Sequence, residues 1–154
     1  MGAGLKRLSK NQSIELINDF VSREIPFVFL ISFSGEDNVV ATPEDAASKG
    51  FFMEMPGMVN HAFQGKPDRP ILFSKHPMEQ ARYLEAFNYV VGQIHYGNSF
   101  LLNLTFPTPI ETNYSLKDIF LKSRASYKLF LEDELVVFSP ERFIRIQGNT
   151  IVSN

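Results

Sequence analysis

The residues best placed to do chemistry are four in a row, Ser139-Pro140-Glu141-Arg142. They separate two strand-like runs, "ELVVF" and "FIRIQ", at a point where a sheet favours valine or isoleucine. A carboxylate fixed at a strand edge over a cleft can transfer a proton or orient a polar substrate. The same tetrapeptide also fits a plain turn, with Ser-Pro starting it and Glu141 and Arg142 facing water; taken alone, the turn is the commoner use. Other chemistries find less support. His61, His76 and His95 are far apart, with no i, i+4 pair and no HExxH, so isolated surface or helix-end histidines are expected rather than a zinc ligand or general base. Glu44 and Asp45 fit a helix start, and Glu132, Asp133 and Glu134 fit a solvated hairpin tip. The absence of cysteine removes disulfides, thiolate metal sites and a cysteine nucleophile, and fits a reducing compartment. No GxGxxG, GxxxxGK[ST] or GxSxG occurs, so nothing marks a nucleotide loop or a serine hydrolase elbow. No metal-ligand set is identified.

These residues need elements to hold them. A first helix is expected from Asn11 or Ser13, with Ile14, Ile17 and Val21 on one face and Pro26 stopping it. "FVFLISF" (Phe27 to Phe33) reads as a fully buried strand, and "VVAT" as a short return. Thr42-Pro43-Glu44-Asp45 is a helix start and Gly50 its end. "FFMEM" (Phe51 to Met55) is a strand, followed by a loop from Pro56 to Pro70. The longest helix opens at His76-Pro77, carries Leu84, Phe87, Val91 and Ile94 as its core stripe, and closes at Gly97. "SFLLNLTF" alternates strictly, which predicts a strand with Ser99, Asn103 and Thr105 on a polar face. That face could line a substrate cleft, with Asn103 and Thr105 in it, or simply meet solvent. Ser115-x-x-Asp118 resembles a capping box and opens a helix to about Arg124. "YKLFL", "ELVVF" and "FIRIQ" then form a meander, and "QGN" turns into a return strand at "TIV". The order predicts an α+β fold in one domain, residues 1–154, with no linker-like shift in composition.

Composition agrees with a globular chain: 44% of residues are apolar, with 15 phenylalanines among 154 residues. A net charge of −2 with no basic stripe argues against nucleic-acid binding. The longest apolar run, "IPFVFLISF", is too short to span a bilayer, and the N-terminus lacks the apolar core of a secretory signal. A soluble cytoplasmic protein without membrane partners is the expectation.

Two stretches at a particular separation carry a resemblance. "IHYGNSFLLNLTFP", then a helix, then "SRASYKLFLEDELVVFSPERFIRIQGNTIVSN" resembles the first part of the chorismate-binding enzymes. It is nearest the branch of aminodeoxychorismate (para-aminobenzoate) synthase component I, with anthranilate synthase component I as the sister branch. The likeness is strong from Glu79 to Asn154 and weaker from Pro26 to Asn60, through "PFVFLISFSG" and "FFMEMPGMVN". It implies layered antiparallel sheets with helices packed outside, of which this chain holds a part. It implies an enzyme that converts chorismate and ammonia to 4-amino-4-deoxychorismate in folate biosynthesis with Mg²⁺, the ammonia coming from a glutamine amidotransferase subunit. Glu141 matches the family's "SPER" glutamate, an active-site residue.

The resemblance also implies limits. The family's nucleophilic lysine, in a "PIKGT" motif, follows the hairpin at which this sequence reaches Asn154, and the Mg²⁺-binding glutamates come later still. The expectation is an N-terminal fragment without turnover of its own. An effector pocket for tryptophan would use Ser34, within Ile31 to Gly35, and Ser126-Tyr127-Lys128, where Lys128 puts a charge in place of a modest side chain. Leu101 and Asn98 stand where the family commonly has Gln and Asp. Anthranilate as product, or a non-enzymatic module that binds an amino-acid effector, are the alternatives.

Overall fold

A computed structural model describes residues 5–138 and 144–153. They fall into two compact units: one built from the residues up to Asp68 together with those from Ser115 onward, the other from Arg69–Tyr114. All strand pairs between the named strands are antiparallel and helices accompany them, giving the expected α+β class.

The first unit opens with α1 (Lys10–Ser22), which begins one residue before Asn11, the earlier of the two expected starts. Ser9 accepts from the Gln12 amide while the Gln12 side chain returns to the Ser9 amide, a complete capping box. Ser13, an expected start, is instead buried and bonded to the side chain of Asn38. Next come β1 (Val28–Leu30) paired with β2 (Val39–Ala41), then α2 (Pro43–Ser48) with Thr42 as N-cap and Gly50 in the left-handed conformation just beyond its end. β3 (Phe51–Met55) turns into the short β4 (Met58–Val59), which lies in the stretch read as loop.

After the second unit, α4 (Leu116–Lys122) starts at the predicted Ser115–Asp118 capping box. β7 (Lys128–Leu131) and β8 (Leu135–Phe138) follow. With β3 and β4 they make a four-stranded sheet in the order β4-β3-β7-β8. β9 (Ile144–Gln147) and β10 (Thr150–Ser153) form a separate hairpin, so among the described residues the expected three-strand meander is divided between two ladders.

Strand alternation gives the four-stranded sheet two working faces. Phe51 and Met53 on β3 and Leu131 on β7 pack against Val39, Ala41 and Ala46 of β2 and α2. On the opposite face Phe52 stacks on Phe130 at 5.7 Å, and the fully buried Phe120 of α4 lies 5.7 Å from Phe130. Asn60 ties the chain after β4 to this sheet: its amide nitrogen donates to the carbonyls of Pro43 and Phe51, and its oxygen accepts from Met53.

The second unit contains β5 (Phe73–Lys75), α3 (Gln80–His95) and β6 (Ile110–Thr112). β5, unforeseen in the sequence, pairs with β6, and His76 extends the pairing by donating its amide to Pro109. With that amide engaged in the ladder, α3 begins at Gln80 rather than at His76-Pro77. None of the α3 residues is fully buried; Leu84 and Phe87 of the expected core stripe remain largely open.

Two expected strands are corrected. "SFLLNLTF" has no ladder partner among the described residues, and its region before Ile110 is irregular; Asn103 and Thr105 are exposed and share no strand face. Alternation sorts side chains between faces but cannot supply a neighbouring strand, and Pro107 and Pro109 lack amide donors. "FVFLISF" forms a strand only over Val28–Leu30, with Phe29, Ile31 and Phe33 exposed. After Leu30 the backbone instead enters a turn held by Asn38, which accepts from the Ser32 amide and donates to the Gly35 carbonyl.

No helix among the described residues is long and apolar enough to cross a membrane.

Candidate functional site

The register between β3 and β7 brings Glu54 opposite Lys128. Each is a charged residue inside an otherwise apolar strand, and both side chains lie on the aromatic face, level with Phe52 and Phe130. Nζ of Lys128 is 2.6 Å from Oε2 of Glu54, and it also donates to the Phe120 carbonyl at 3.3 Å. The ammonium lies 4.8 Å from the centre of the Phe120 ring. The Lys128 side chain is 6% exposed and that of Glu54 33%.

His61 completes the cluster. Its ring stacks on Phe63 at 4.6 Å and meets Phe120 edge-on at 5.2 Å. Nδ1 accepts a hydrogen bond from the Phe63 amide at 3.2 Å. Nε2 lies 3.2 Å from Oε1 of Glu54, within reach of its charge, yet makes no hydrogen bond among the described residues. Partial burial by itself would raise the Glu54 pKa. The Lys128 hydrogen bond and charge, joined by His61, outweigh that effect and hold the carboxyl below its ordinary value.

The other face of the same strands opens into a cleft of about 310 Å³, lined chiefly by Phe27, Phe29, Met53, Met55, Tyr127 and Leu129. Of the expected effector residues, Tyr127 and Lys128 border this cleft, but the Lys128 ammonium is engaged on the aromatic face. Ser34 and Ser126 are exposed and are not among its lining residues. Ser34 instead organises its own turn, with its hydroxyl 3.2 Å from that of Ser32 and accepting from the Glu36 amide. Glu141, with the rest of "SPER", lies outside the described residues. No group of three or more His, Asp or Glu suited to a metal ion occurs among the described residues, and Glu54 already carries a cation.

Sequence reasoning missed Glu54, and treated His61 as an isolated surface or helix-end residue although its ring is 5% exposed. The signal available was a pair of opposite charges, each interrupting an apolar strand in "FFMEM" and "YKLFL". His95, by contrast, does end a helix, and His76 is an exposed partner of Glu111 at 3.2 Å.

The fold and sequence together define a class: an α+β chain with antiparallel sheets and, after Phe138 in the sequence, an "SPERF" segment. A family model described as chorismate binding enzyme matches residues 39–154. The chain belongs to this family. It is 41% identical over 138 residues to an uncharacterised PabA-like protein of Haemophilus influenzae, covering 90% of this chain and 42% of that protein. It is 37% identical over 145 residues to an uncharacterised PabA-like protein of Pasteurella multocida, covering 94% of this chain and 45% of that one. The chain thus spans less than half the length of these curated relatives. No solved structure matches it.

Proposed function

We propose that these residues are part of component I of an aminodeoxychorismate synthase, which replaces the ring hydroxyl of chorismate by ammonia to give 4-amino-4-deoxychorismate and water. The observation that carries this reading is the family match over residues 39–154, which includes the "SPERF" segment. Exchange of a hydroxyl for an amine needs a proton on the departing oxygen, and Glu141 is the residue assigned to deliver it. Mg²⁺ and a glutamine amidotransferase that supplies ammonia belong to the same proposal. The 154 residues contain no "PIKGT" lysine motif, so the chain alone is not expected to turn over chorismate.

The test uses a polypeptide extended to the length of the relatives, incubated with chorismate, an ammonium salt and Mg²⁺, with products identified by mass spectrometry. 4-Amino-4-deoxychorismate is the expected product. Anthranilate would move the protein to the sister activity, and unconsumed chorismate would overturn the reading. Formation of either product by the 154-residue chain itself would contradict the assignment of the nucleophile to another segment.

A second reading has its own observation. The apolar cleft on the Met53 face has the size and aromatic lining to take the side chain of an amino-acid effector. Titration calorimetry with tryptophan decides it: saturable heat with one site supports an effector module, and no heat rules it out.

A further inference from the structure

The hydrogen bonds around His61 fix more than its position. Because Nδ1 accepts the Phe63 amide proton, the neutral ring must carry its own hydrogen on Nε2, the nitrogen 3.2 Å from Glu54. Protonation adds a hydrogen at Nδ1, where one already arrives from Phe63. The two donors then oppose each other across a 3.2 Å gap. Meanwhile the new positive charge is drawn towards Glu54, whose carboxylate Lys128 already holds at 2.6 Å.

Among the described residues, the charged and titratable groups near the ring come from β3, β7 and α4. β3 presents Glu54 and β7 presents Lys128. α4 presents Phe120 to the imidazole, and its Lys117 lies 4.0 Å from the centre of the Phe63 ring, on which His61 stacks.

We infer that residues 60–63 form a proton-sensitive strap, closed over the Phe52–Phe120–Phe130 face while His61 is neutral and released at its Phe63 end when the ring is protonated. Asn60, bonded to Pro43, Phe51 and Met53, remains as the fixed end. Phe63, whose ring packs 4.6 Å from Phe52, is the end that moves. Nothing in this device depends on the proposed reaction.

The experiment is nuclear magnetic resonance on the 154-residue chain with nitrogen-15 label, following the His61 ring nitrogens and the Phe63 amide together as pH is lowered. At high pH the ring is expected as the Nε2–H tautomer. As it titrates, hydrogen-exchange protection of the Phe63 amide should fall about tenfold relative to the β7 amides, with the midpoint of the ring itself, since one net hydrogen bond is lost. In His61→Phe, which keeps an aromatic ring but no acceptor, Phe63 protection should be low and independent of pH. An Nδ1–H tautomer, a Phe63 amide indifferent to the ring's titration, or a ring that stays neutral until the whole fold is lost would each overturn the inference.

Discussion

Glu54 and Lys128 face each other directly across β3 and β7 and are joined at 2.6 Å, but they are not equally buried. The lysine is almost enclosed, between Phe120 and the sheet, whereas a third of the glutamate side chain still reaches solvent. Opposite charges on directly opposed residues support a strand pair. The unequal burial makes the two halves of this one unequal in cost.

Replacing the carboxylate by an amide leaves the enclosed ammonium without its counter-charge, with only neutral acceptors, the amide oxygen and the Phe120 carbonyl, among the described residues. Glu54→Gln should destabilise the first unit by about 3 kcal/mol. Lys128→Met leaves a carboxylate that water can reach, and should cost about 1 kcal/mol. Urea unfolding midpoints of the two variants check the order; equal losses, or a larger loss in Lys128→Met, would contradict it.

The depressed pKa of Glu54 sets a pH dependence. The unfolded chain takes up the proton at higher pH than the folded one does. The stabilisation is therefore complete above the ordinary glutamate value of about 4.3 and is lost as pH falls through the lower folded value. The melting temperature of the wild type should drop in that acid window, and Glu54→Gln should show a shallower drop. Parallel curves would remove Glu54 as the cause.

Gly50 has φ +84°, and a Cβ placed there would lie 2.9 Å from Oε2 and 3.0 Å from Cβ of Glu132. Gly50→Ala therefore meets a left-handed backbone and a crowded neighbour at once. A loss of about 2 kcal/mol is expected, measured by thermal or urea unfolding. Gly57, with the same φ and open space around it, should lose less on the same substitution.

In the extended polypeptide, Glu141→Gln should lower the turnover number by about 10²–10⁴-fold, the usual worth of a positioned general acid. Steady-state kinetics with chorismate and ammonia test it. An unchanged rate would return "SPER" to the role of a turn.

Local signals were the readable ones. The Thr42 and Ser115 caps, the strands of "FFMEM" and "ELVVF", and the Gly50 and Gly97 helix ends depend on neighbours in sequence, and the structure has them where the sequence puts them. What depends on distant partners was harder to read. "SFLLNLTF" alternates as a strand should but finds no ladder, while "FSK", with no pattern of its own, becomes β5 because Ile110–Thr112 lies beside it. The candidate site is of the second kind. Glu54, His61 and Lys128 meet through strand register and through the chain path after β4, and neither is written in the few residues around each.

The Glu54–Lys128 pair also bears on how the sheet finds its alignment. Phe51, Phe52 and Met53 face Leu131, Phe130 and Leu129, so both surfaces of both strands are greasy. A slip by one residue turns every side chain of a strand to the other side, and for such strands oil would meet oil either way. The two charges break that degeneracy: a misaligned β7 would carry an unmatched ammonium toward Val39 and Ala46 and leave the carboxylate without its counterion. They act as a registration mark, giving an ambiguous pair of strands a single way to be assembled.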